Sequence, residues 1–142
     1  MKYLLDTDHI SFLQRRSGPE YLALSSRLAK HRPDDFAFSV VSFHEQALGA
    51  NTYINRAKSS IDVVSGYELL GQVLAVYMTA TVLPFDARAS IEFSSVRAQR
   101  IRIPTMDLRI ASIALSNNLI LLTRNAVDFG KVPNLVTEDW TI

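Results

Sequence analysis

Leu119-Ile120-Leu121-Leu122-Thr123 runs directly into Arg124-Asn125, and the reading of this stretch decides the fold. An apolar run with no polar alternation suits a strand buried on both faces, which is the habit of parallel sheets. Such a sheet needs helices on either side of it, so the rest of the chain should alternate strands with helices. Tyr3-Leu4-Leu5 is a second apolar run, stopped by Asp6-Thr7-Asp8 as a strand stops when it delivers polar groups at its carboxyl end. Phe36-Ala37-Phe38-Ser39-Val40-Val41, rich in aromatic and β-branched residues, reads as another strand. Thr81-Val82-Leu83 and Leu135-Val136-Thr137 supply two shorter ones.

Helical periodicity fills the intervals. Ile10, Leu13, Tyr21, Leu22, Leu24 and Leu28 fall into two helical pieces split at Ser17-Gly18-Pro19. Ser42-x-x-Glu45 has the spacing of a capping box and predicts a helix opening at Ser42. From Ser60 a long amphipathic stretch reaches Tyr77, weakened by Gly66 and Gly71. Asp86 is placed to cap a helix carrying Ile91, Phe93 and Val96, and Thr105 to cap one carrying Leu108, Ala111, Ala114 and Leu115. No repeat, low-complexity tract or linker interrupts this order. The expectation is an α/β fold: residues 1–142 as one three-layer α/β/α domain around a mostly parallel central sheet.

Composition narrows the function. The chain has 142 residues, 48% apolar and 20% charged, the balance of one closed core. Lys+Arg at 15 against Asp+Glu at 14 leaves +1, so a polyanion would have to be bound by a local patch rather than a global field. The absence of cysteine removes disulfides, thiolate metal ligands and thiol nucleophiles, and fits a reducing compartment. No apolar run approaches the roughly 18 residues of a membrane span, so a soluble cytoplasmic protein with no membrane partner is expected.

The informative pattern is where acids sit relative to apolar runs. Asp6 follows the first strand, Glu45 is placed in the first turn of the helix after the second, Asp107 lies in the first turn of the helix before the Leu119 strand, and Asn125 and Asp128 follow that strand. In an open parallel sheet all these places face the crevice beyond the strands' carboxyl ends. Carboxylates gathered there repel one another, and a divalent cation relieves this at neutral pH; hard oxygen ligands favour Mg²⁺, or Mn²⁺. Such a site is suited to displacement at phosphorus, so phosphodiester hydrolysis is the natural reaction. Arg97, Arg100, Arg102, Arg109 and Arg124 cluster in the same segments, with Arg109 and Arg124 the candidates for substrate phosphate.

Each residue also has a plain structural reading. A first-turn carboxylate is stabilised by the helix dipole alone, Asp8, Asn125 and Asp128 fit ordinary turns, and exposed arginines solvate a surface. His9, His31 and His44 show no metal spacing, and there is neither a glycine-rich phosphate loop nor a nucleophilic serine motif.

Taken in order, Leu4-Leu5-Asp6-Thr7-Asp8, Ser39-Val40-Val41-Ser42-Phe43-His44-Glu45-Gln46-Ala47-Leu48-Gly49-Ala50, Leu83-Pro84-Phe85-Asp86, Asp107 to Leu115, and Leu122-Thr123-Arg124-Asn125-Ala126-Val127-Asp128-Phe129 with Glu138-Asp139-Trp140 resemble PIN-domain ribonucleases, above all the VapC-type toxins of bacterial toxin-antitoxin pairs. The resemblance implies a Mg²⁺-dependent endoribonuclease. Asp6, Glu45 and Asp107 match the family's acidic positions. Asn125 stands where the family often has a fourth acid, Asp128 is placed to substitute for it, and Asp8 stands where asparagine is common. Structured RNA such as tRNA as substrate, a cognate antitoxin and a homodimer are also implied. Two other readings use the same residues: a metal-dependent DNase or flap-type nuclease, and a binding protein with a degenerate site.

Overall fold

The strands are two to four residues long, so each contributes only a residue or two to either face of the sheet. The computed structural model describes all 142 residues. Strands β1 (Tyr3–Leu5), β2 (Phe36–Ser39), β3 (Val82–Leu83), β4 (Ile120–Leu122) and β5 (Thr137–Glu138) form one sheet in the order β3-β2-β1-β4-β5. Every neighbouring pair is parallel, with Leu4 opposite Ala37 on one side and Leu121 on the other. Helices α1 (Thr7–Arg15), α2 (Pro19–Leu28), α3 (Val40–Arg56), α4 (Ser60–Met78), α5 (Ala87–Ala98), α6 (Thr105–Ser116) and the short α7 (Ala126–Phe129) make the connections, with a 3-10 turn at Pro33–Asp35.

Side-chain alternation sorts the central strands between two cores. Leu4, Ala37 and Leu121 point to one face and pack with Ala89 and Val96 of α5 and Leu108, Ile110 and Ala111 of α6. Leu5, Phe38 and Leu122 point to the other and pack with Ile10 and Phe12 of α1, Leu24 of α2, Val73 and Tyr77 of α4, and Trp140. This is the expected three-layer arrangement. The chain winds outward from β1 to β2 and β3, then returns by α5 and α6 to β4 on the far side of β1. Winding therefore reverses between β1 and β4, and the crevice at their carboxyl ends is where this topology places a site.

Several boundaries differ from the sequence reading. The second strand ends at Ser39 rather than Val41, and α3 is capped by Ser39, whose hydroxyl accepts the Ser42 N–H at 3.0 Å. Val41 is buried in the α5–α6 core, and that packing overrides the strand preference of a β-branched pair. Ser42 is thus the third residue of α3 instead of its cap, and Glu45 moves into the second turn. Asp86 caps α5 as expected, accepting the Ala89 N–H at 3.0 Å, whereas α6 opens at Thr105 behind Pro104 with no side-chain cap. The last strand forms at Thr137–Glu138, later than Leu135. Helix α7, capped by Asn125, was not anticipated.

Contrary to the expectation from the apolar runs, α4 is long and apolar enough, by length and composition alone, to cross a membrane: 19 residues with mean hydropathy 1.2. It packs back along α3, and the contact depends on Gly66, where an added Cβ would come within 2.6 Å of Ile54 Cγ1 and 3.1 Å of Tyr53 Cδ1. Gly71, one face away, would meet nothing within 4 Å. Gly66→Ala should therefore cost about 1–3 kcal/mol by overpacking, while Gly71→Ala should gain about 0.5–1 kcal/mol from helix propensity. Urea unfolding midpoints measured side by side check both signs.

Candidate active site

Asp6 is the first residue beyond β1 and also the N-cap of α1, which fixes both of its carboxylate oxygens. Oδ1 accepts the Thr7 N–H at 2.8 Å and Oδ2 accepts the Thr123 hydroxyl at 2.7 Å, tying the end of β1 to the end of β4. The Asp6 N–H itself continues the β1–β4 ladder onto Leu122 O at 2.9 Å. Burial pushes the Asp6 carboxyl up to about 7; Asp8 raises it further, the Thr123 and Thr7 hydrogen bonds pull it down, and Asp107 adds a last upward push.

Glu45 reaches the same crevice from the second turn of α3, so the helix dipole does not account for it. Thr7 holds it: the Thr7 hydroxyl lies 3.1 Å from Glu45 Oε1 and 2.9 Å from Ser42 Oγ, and Ser42 in turn receives the Ser39 hydroxyl at 3.3 Å. Burial raises the Glu45 carboxyl, against the pull of Thr7 and the His44 charge. Asp107, in the first turn of α6, is half-buried and is pushed up to about 6, by burial first and then by the charges of Glu45, Asp128 and Asp8. These mutual repulsions place Asp6, Asp8, Glu45, Asp107 and Asp128, from four stretches of chain, within one electrostatic neighbourhood.

Residues to which the sequence reading gave no role in the site build the frame. Asp8 Oδ2 accepts the Arg124 backbone N–H at 2.9 Å and lies 3.4 Å from the Thr123 hydroxyl. Its other oxygen meets His9 Nδ1 at 2.7 Å. His9 is fully buried, and its Nε2 accepts the Trp140 N–H at 3.2 Å, so the ring proton sits on Nδ1 and points at Asp8. Both Asp8 oxygens are thus spent on protein donors. Tyr77 is buried against Phe38 and Phe43, and its hydroxyl has no partner. Burial pushes that phenol up, and so do the charges of Glu45 and Asp6. Thr123 carried one available signal, a hydroxyl closing a run of leucines that buries everything around it.

Asn125 caps α7: its Oδ1 accepts the Asp128 N–H at 3.3 Å and its amide donates to Asp128 Oδ2 at 3.0 Å. Asp128 also pairs with Lys131 at 3.4 Å and is held below the usual carboxylate range, by the Asn125 hydrogen bond above all. Arg124 is exposed, its guanidinium 5.3 Å from the Phe12 ring centre. Arg109 turns toward α5 and lies 6.0 Å from the Phe93 ring centre. Two apolar depressions, about 570 Å³ between α1 and α4 and about 490 Å³ between α2 and the sheet, contain none of the carboxylates.

The donor set fits a hard divalent cation. It is all carboxylate oxygen, Asp6 and Asp107 are pushed up by burial and by neighbouring carboxylates, and the Tyr77 hydroxyl, which feels the charges of Glu45 and Asp6, is orphaned. No three acidic or histidine side chains stand close enough to enclose an ion by themselves. That suits Mg²⁺, which takes one or two carboxylates and completes its shell with water and substrate phosphate.

No family model matches the chain. Curated relatives match it end to end: Ribonuclease VapC1 of Haemophilus influenzae (strain R2866) is 29% identical over 143 residues, covering 99% of each chain. The tRNA(fMet)-specific endonuclease VapC of Salmonella typhimurium is 26% identical over 144 residues, covering 99% of this chain and 98% of the relative. Among solved structures, the DNA-bound VapBC of Salmonella typhimurium shares the fold with a TM-score of 0.79 at 24% identity, covering 99% of this chain and 98% of that one. Strand order, the placing of acids at the strand ends and full-length likeness agree: the chain is similar from end to end to VapC ribonucleases and shares the fold of the VapBC toxin structures.

Proposed function

We propose that this chain is a metal-dependent endoribonuclease, the toxin of a type II toxin-antitoxin pair, and that it hydrolyses phosphodiester bonds of structured RNA, tRNA included. The observation that carries the reading is the gathering of Asp6, Glu45 and Asp107 at the crevice where the sheet reverses: Thr7 contacts both Asp6 and Glu45, and the charge of Glu45 is felt at Asp107 and that of Asp107 at Asp6. Asp6 and Asp107 are the principal ligands of the cation, Mg²⁺ or Mn²⁺. Glu45 is a ligand or orients the attacking water, and Asp128 completes the site, since Asn125 is occupied as its cap and brace. Bound there, the cation lowers the pKa of a coordinated water and neutralises charge on the phosphate.

The chain's own residues do the positioning. Thr123 and the Thr7 N–H fix the two Asp6 oxygens, and the Thr7 hydroxyl holds Glu45 Oε1. Burial raises the Glu45 carboxylate, which makes it a better proton acceptor than a solvated glutamate. The relatives' names motivate the RNA substrate, and solved VapBC complexes motivate a cognate antitoxin partner. A homodimer working in the cytoplasm completes the proposal.

Asp107→Asn should abolish cleavage of RNA while leaving the fold intact, and excess EDTA should silence the wild type. Cleavage that survives either treatment contradicts the site, and faster cleavage of a DNA oligonucleotide of matched sequence would point to a DNase instead. Thr123→Val should lower activity or metal affinity about 10–100-fold by freeing the Asp6 carboxylate, read by activity at varied Mg²⁺.

The pH dependence has a definite sign. Asp6 and Asp107 bind protons more tightly folded, at about 7 and about 6, than at the ordinary 3.8, so they contribute stability at low pH that is lost as pH rises through those values. Metal binding opposes this, because it needs both groups ionised. The rise in melting temperature on adding Mn²⁺ should therefore be larger at pH 8 than at pH 5, and Asp6→Asn should raise the metal-free melting temperature at pH 8 while removing the response to metal.

A further inference from the structure

The crevice poses a problem for its own substrate. Its wall of carboxylates repels a polyanion, and a net charge of +1 supplies no global field to overcome that. The cations that draw RNA in must lie beside the crevice and be free of other partners. Two places meet both conditions, and they are built alike.

On the α1 side, Phe12 has two guanidiniums against its ring, Arg15 at 5.1 Å and Arg124 at 5.3 Å from the centre. Arg124 is rooted in the site, since its backbone N–H is bound by Asp8. On the α5–α6 side, Phe93 also has two, Arg97 at 5.7 Å and Arg109 at 6.0 Å. Arg88 near the start of α5 reaches Asn117 at the end of α6, so the two helices run in opposite senses and Arg97 lies beside the helix end that carries Asp107 and Arg109. Phe12 belongs to one core of the sheet and Phe93 packs against the other, so the pairs stand on opposite faces of the sheet, one carried by the helix that Asp6 caps and one by the helix that bears Asp107. None of the four arginines forms an ion pair, in contrast to Arg27, Arg32 and Arg88. A ring face restrains a guanidinium without consuming its hydrogen-bond donors, which stay available for bidentate contact with phosphate.

We propose that the Arg15–Phe12–Arg124 and Arg97–Phe93–Arg109 units are paired phosphate clamps that lay an RNA strand across the acidic crevice, one on each flank. This rests on the ribonuclease reading above and extends it to the path of the substrate. The aromatic rings set where the charges stand, and the arginines bind backbone, so the clamps give affinity and register without reading sequence.

The test is the salt dependence of RNA binding by full-length Asp107→Asn protein, with a fluorescent single-stranded RNA oligonucleotide in rising KCl. In this background, R15A/R124A and R97A/R109A should each flatten the slope of log K against log salt by about 1.4, at roughly 0.7 per lost phosphate contact. All four side chains lie at or near the surface, so these variants should fold, which circular dichroism verifies. R32A/R56A, which removes two arginines outside either unit, should leave the slope unchanged. RNA bound with the parent slope by both double variants overturns the clamps and leaves the nuclease reading standing. A flattened slope in R32A/R56A equal to theirs also overturns the clamps, because any surface arginine would then serve. An Asp107→Asn protein that binds no RNA at low salt overturns clamps and nuclease reading together.

Discussion

Everything in this molecule that is not ordinary packing follows from keeping several carboxylates close together in a half-buried crevice. Two of them are pushed far above their usual range, to about 7 for Asp6 and about 6 for Asp107, by loss of water first and by the charge of neighbouring carboxylates second. A fold tolerates such a cluster only if something else demands it and the surroundings hold it in place. The surroundings are hydroxyls and backbone N–H groups: Thr7, Ser42 and Thr123, with Asp8 clamped between His9 and the Arg124 N–H. Apart from the Asp8–His9 contact these join segments far apart in sequence, so the site and the fold stabilise the same contacts.

The sheet makes this meeting possible. Because winding reverses between β1 and β4, the chain leaves those neighbouring strands in different directions, opening a gap that α3 and α6 border with Glu45 and Asp107. Strands so short contribute little to stability individually; the alternation of Leu4 with Leu5 and Leu121 with Leu122 matters because it supplies both cores at once.

The fold class was legible because buried parallel strands are apolar without alternation, and Leu119–Thr123 and Tyr3–Leu5 have that form. The edges of elements were less so. Val40-Val41 looks like strand by local preference, yet the Ser39 hydroxyl ends the strand and starts α3, a decision made by one hydrogen bond and by the burial of Val41. The carboxylates could be named from their positions after strands and at helix starts, although the capping-box spacing suggested a local purpose for Glu45 that the structure does not give it. What composition and spacing could not reveal was the frame. Thr123 closes a buried strand, Tyr77 ends an amphipathic stretch and His9 shows no metal spacing, so none of them points to a site on its own; which polar atoms meet across more than a hundred residues is set by tertiary packing. The apolar character of α4 was also underread, because Asp62, Gly66, Glu68 and Gly71 break its run of hydrophobic residues without lowering the average much.

The central claim is that distant segments share one dication. Substoichiometric Mn²⁺ added to ¹⁵N-labelled protein tests it directly, through paramagnetic broadening of backbone amides. Amides around Asp6, Glu45, Asp107 and Thr123 should broaden together, and those of α2 and the α3–α4 turn should stay sharp. Broadening confined to one of those segments, or none at concentrations that saturate the protein, would contradict the account.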